Sequence, residues 1–136
     1  MQMNNSKIIK VLLVLAGIIG IYVGGSLLFF PAELQAQSNI IINNPSQFSE
    51  ARAPGAAIFS ASFIILLGVF REGWRYIALI IATLFFLSYG FGRMLSLILD
   101  GMPAQGLFIA MFLELFVGLL TFNTSVRIRQ LFFLAS

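Results

Sequence analysis

The chain has 136 residues, 60% hydrophobic and 10% charged, with 15 phenylalanines, no cysteine and no histidine. That leaves too little polar surface for a water-facing shell, so the apolar side chains face lipid or one another and the chain reads as one all-α membrane domain. Disulfides, thiolate chemistry, histidine ligation of haem and the usual zinc sites are excluded together, and the net charge of +3 is spread in pairs rather than gathered into a nucleic-acid patch.

Four apolar spans are expected at 11–30, 53–70, 76–99 and 104–122, each near the ~20 residues that cross a ~30 Å hydrocarbon core as a helix. The first follows Lys7 and Lys10. It could be taken for a signal peptide cleaved after Leu34-Gln35-Ala36, but its apolar run exceeds the roughly 7–15 residues of such a segment. Ala16, Gly20 and Gly24 recur every four residues and set small side chains on one face, for packing within the bundle or for a contact between subunits. The loop 31–50 is the one sizeable polar segment, and Ile40, Ile41 and Ile42 within it are expected to pack on the helix ends.

The second span is short, so its helix is expected to begin near Ser49, with Pro54 in a first turn that lacks internal partners anyway. Glu50 and Arg52 then sit at its mouth. Gly55, Ala56, Ala57, Ser60, Ala61 and Ser62 make its first half small, through close packing or to leave room for an acyl chain. Arg71, Trp74, Arg75 and Tyr76 mark an interfacial turn to the third span. Gly90 and Gly92 lack the loop-to-helix setting of a phosphate cradle.

The third span carries Arg93, Ser96 and Asp100 and ends at a tight turn, Asp100-Gly101-Met102-Pro103, which makes the third and fourth spans antiparallel neighbours. Glu114 lies about ten residues into the fourth span, ~15 Å along the helix and so near the bilayer midplane. A carboxylate there costs at least ~2.5 kcal/mol unless protonated, hydrated or paired. Arg93, reaching inward, is its expected partner, while Asp100 is expected to meet Arg52 or Arg93. The segment 125–136 reads as an extension of the fourth helix at the interface, with Arg127 and Arg129 among headgroups and Leu131, Phe132, Phe133 and Leu134 dipping into lipid.

Glu50, Arg52, Arg93, Ser96, Asp100 and Glu114 thus form a candidate polar cluster. It fits a buried ion network that fixes register, a lipid-headgroup site, or a proton acceptor at Glu114 within a transporter-accessory or quinone-associated subunit. No relay leads onward through the apolar half of the bundle, so no through-going ion path is expected. Lys7, Lys10, Arg71, Arg75, Arg127 and Arg129 fall on one side of a four-crossing chain and Arg52 and Arg93 on the other, so the positive-inside rule puts both termini in the cytoplasm.

Glu50, Arg52 and Gly55, then Gly92-Arg93, Ser96, Asp100-Gly101, Pro103 and Glu114, give a pattern that resembles a bacterial four-helix membrane family catalogued as domain of unknown function 4345. Ala56 stands where a second glycine would be natural. The resemblance implies a small inner-membrane protein and supplies a fold without a chemistry. The expected protein is therefore a non-enzymatic membrane four-helix bundle, a homo-oligomer (dimer or trimer) that binds lipid between its helices and supports envelope integrity. No cofactor, metal or catalytic residue is expected.

Overall fold

Each apolar run continues as helix until a residue that cannot propagate one. In a computed structural model, which describes the backbone of residues 2–134 and the side chains of residues 6–130, helix α1 runs over Gln2–Phe29 and stops before Phe30-Pro31. The proline ring crowds the residue before it out of the helical region, and Phe30 accordingly takes φ −129. A short helix α2, Pro31–Ala36, follows with proline in its first turn, and the chain leaves it through Asn39 at φ 62, a left-handed position that asparagine tolerates.

Helix α3 spans Pro45–Phe70 and so begins four residues before the expected Ser49. The cause is a capping arrangement: Asn44 Oδ1 accepts from the Gln47 amide at 3.0 Å, and Gln47 Oε1 accepts from the Asn43 amide at 2.9 Å. This start puts Pro54 inside the helix rather than in its first turn, where the missing N–H removes the donor that the Glu50 carbonyl would otherwise take. Arg71 turns extended and a 3-10 turn, Glu72–Trp74, leads into α4, Arg75–Asp100, with Arg75 and Glu72 paired at 2.9 Å. Gly101 at φ 95 ends α4. Helix α5 then runs unbroken over Gln105–Leu134, so the segment after the expected fourth span continues one helix. The side chains of Leu131, Phe132, Phe133 and Leu134 lie outside the described residues.

Four of these helices are long and apolar enough to cross a membrane. They form two antiparallel hairpins, α1 with α3 and α4 with α5, which meet chiefly through α3 and α4. The hairpins share a core of Ile9, Leu12, Leu13, Ala16, Ile65, Ala78, Leu79, Ala82 and Phe86. All of these residues belong to the half of the bundle that holds the chain termini and the turn at 71–75.

Glycine sets the closest approaches. A Cβ on Gly24 would come within 2.5 Å of the Phe59 amide nitrogen, and one on Gly55 within 2.7 Å of the Leu28 nitrogen, so the α1 and α3 backbones nearly touch. Ala16 is fully buried and a Cβ on Gly20 would collide with Ser62 Oγ. The small-residue face of α1 is therefore filled by α3 of the same chain. Between α4 and α5, Thr83 and Thr121 hydroxyls meet at 3.0 Å in the buried interface, each also within reach of a carbonyl of its own helix. With two hydroxyl protons to distribute, one hydroxyl donates across the interface and the other to its own helix.

Candidate functional site

Of the four long helices, α4 is the most clearly two-faced. One side, from Ala78 and Leu79 to Phe86 and Gly90, is buried, while Ser88, Tyr89, Gly92, Arg93 and Ser96 line an open groove of about 450 Å³. These positions recur at three and four residues, which is one helix face. No residue of α3 or α5 lines the groove, so it runs along α4 rather than between two helices. A Cβ on Gly92 would meet nothing within 4 Å, so the groove is open above that residue.

Glu114 on α5 reaches Arg93 from the neighbouring helix. The Arg93 Nε–H is shared by both carboxylate oxygens, at 2.9 Å to Oε2 and 3.1 Å to Oε1. The two side chains retain 28% and 17% of their exposure, which makes this a half-buried ion pair. Leu115 against Gly90 and Leu87 against Gly118 hold the helices at this spacing in the successive turns next to the pair, toward the 71–75 turn. Nη1 and Nη2 of Arg93 donate to no group among the described residues. One nitrogen thus fixes the guanidinium while the rest of the fork is left available.

The remaining residues of the expected cluster do not converge on this pair. Asp100 meets neither Arg52 nor Arg93; its Oδ2 accepts from Ser96 Oγ at 2.8 Å, one turn back along the same helix. Arg52 lies on the other hairpin, its guanidinium carbon 5.3 Å from the centre of the Phe48 ring, in a separate apolar depression of about 800 Å³ formed with Leu28, Ser49 and Ala56. Arginine over an aromatic face is a cation–π contact. Glu50, exposed beside it, has no ion pair or hydrogen bond among the described residues. Both helices carry charge at this end, but Arg52 and Arg93 line separate pockets on different hairpins. Ser88, Tyr89 and Gly92 join the groove without having been part of the expected cluster; the signal that finds them is their register with Arg93 on α4.

The groove combines a fixed guanidinium, two serine hydroxyls, a phenol and, one turn farther along, a carboxylate. Among the described residues there is no group of three His, Cys, Asp or Glu side chains fit to hold a metal ion. The guanidinium, hydroxyls and phenol can donate to oxygen acceptors, and Leu84, Phe91 and Leu95 of α4 lie exposed along the same helix.

No curated protein and no solved structure matches the chain. A family model described as a domain of unknown function, DUF4345, matches residues 8–124, a stretch that contains the groove, the Arg93–Glu114 pair and most of all four long helices, and the chain belongs to that family.

Proposed function

We propose that this membrane protein is non-enzymatic and holds a lipid or another amphipathic molecule along the outer half of α4, headgroup at Arg93 and hydrocarbon against the flanking apolar surface. The observation that carries the reading is the half-satisfied guanidinium. A charged group within a membrane span is costly, and Arg93 spends one N–H on Glu114 while lining an open polar groove. A helix-register device alone would need the ion pair but not the groove. The alternative role of Glu114 as a proton acceptor is disfavoured because its carboxylate is ion-paired with Arg93 and does not line the groove. A homo-oligomer in the inner membrane of a bacterium, both termini cytoplasmic, belongs to the same proposal.

Native mass spectrometry of gently purified protein tests it by reporting bound small molecules and subunit number together. Lipid is expected on the wild type and absent from Gly92→Leu, which fills the groove at a site where a side chain meets nothing. If Gly92→Leu retains the same lipid, the site is wrongly placed. A particle with the mass of one chain overturns the oligomer.

A further inference from the structure

We infer that the α4 groove takes a zwitterionic phospholipid headgroup, a phosphodiester joined to a primary ammonium, with the phosphate at Arg93 and the ammonium at Asp100. The inference rests on the lipid-site reading and names its ligand class.

Charge summed along the face comes first. Arg93 and Glu114 cancel, and Asp100 adds one negative charge at the mouth. An anionic lipid would bring a second uncompensated negative charge to a site of low dielectric, whereas a headgroup with its own cation leaves the sum unchanged and meets each local charge with its opposite. The unused Nη1 and Nη2 present the planar fork that suits two phosphate oxygens.

Spacing supplies the second argument. Arg93, Ser96 and Asp100 share one face, and Asp100 lies ~10 Å farther along the axis than Arg93 at 1.5 Å per residue. The Ser96 hydroxyl holds Asp100 Oδ2 back by one turn, at 2.8 Å, which narrows the gap toward the two-carbon link between phosphate and ammonium. Among the described residues, Oδ1 of Asp100 accepts no hydrogen bond and Asp100 is in no ion pair. The order also matches a lipid lying alongside the helix, with the ammonium nearest the helix end, the phosphate deeper, and Tyr89 one turn deeper again beside the ester groups. A quaternary ammonium has no N–H to offer Asp100, so the primary amine is favoured.

The test titrates delipidated protein in detergent with phosphatidylethanolamine, phosphatidylcholine and phosphatidylglycerol of equal chain length, reading occupancy by native mass spectrometry. Phosphatidylethanolamine is expected to bind about tenfold more tightly than the other two, the worth of one hydrogen bond to a charged group. Asp100→Asn should bring it down to the phosphatidylcholine level without weakening phosphatidylglycerol. Arg93→Met with Glu114→Gln removes both charges of the pair, leaves no unpaired ion to unfold the protein, and should weaken all three lipids. Equal or tighter binding of phosphatidylglycerol by the wild type, or a preference that survives Asp100→Asn, overturns the headgroup assignment while the lipid site stands. Retention of none of the three lipids overturns the lipid site itself. Glycerophosphoethanolamine, the headgroup without chains, is expected not to compete at equal concentration; full competition would assign the groove to a soluble ligand and overturn the lipid source.

Discussion

Arg93 and Glu114 were legible as partners from sequence because elementary energetics leaves two charges inside apolar spans little choice, and the turn at 100–103 makes their helices neighbours. Asp100 was not legible in the same way. At an exposed helix end several partners are nearly equivalent, and Ser96 wins by standing four residues away on the same helix, where no divergence of helices can separate them. Arg52 likewise depends on how far apart the hairpins stand, which spacing along a chain does not encode. The pair makes a prediction of its own: Glu114→Ala strands a half-buried guanidinium and should cost about 2 kcal/mol or more. The double substitution Arg93→Met, Glu114→Gln should cost less than Glu114→Ala alone. Thermal denaturation in a fixed detergent ranks the three proteins, and a double variant no better than the single one would mean that the pair matters for shape rather than for mutual neutralisation.

Among the elements, spans and turns were readable because apolar length, proline and glycine report them directly. The start of α3 was missed because Asn44, Pro45 and Gln47 lie in a polar stretch that hydropathy treats as loop, although together they form a helix start. The small-residue face of α1 was visible but its partner was not, since periodicity says that something approaches closely without saying whose backbone it is. Gly24→Ala should force α1 and α3 apart and cost about 1–3 kcal/mol by overpacking. Gly106→Ala, where an added Cβ meets nothing within 4 Å, is the matched control. It should be neutral or stabilising by up to about 1 kcal/mol through helix propensity. Equal losses at both positions, measured by thermal denaturation, would show that the close approach is not a stability determinant.

For the whole molecule, the antiparallel hairpins bring both chain ends and the 71–75 turn to one end of the bundle. With Lys7, Lys10, Arg71, Arg75, Arg127 and Arg129 all toward that end, it is expected to face the cytoplasm. The absence of cysteine makes the check clean. In intact cells a membrane-impermeant maleimide should modify Ile41→Cys, whose residue is 78% exposed, and should modify Gly73→Cys only after permeabilisation. The opposite pattern inverts the topology.

The one-sided core has a mechanical consequence. Leu13, Leu79 and Ile65 are locked among neighbours, whereas Leu95, Ile98 and Leu99, toward the other end of α4, have more than half their surface free. The shared core thus joins the two hairpins at one end of the bundle, while toward the other end each hairpin is held by its own close contacts, at Gly24 and Gly55 in one and at Gly90 in the other. Methyl relaxation should find Ile65 and Leu79 ordered and Leu95 and Ile98 changing rotamers within nanoseconds. Uniform order along α4 would show a rod instead. Any spreading of the two hairpins at the groove end would leave the contacts within each hairpin intact and turn about the shared core as its hinge.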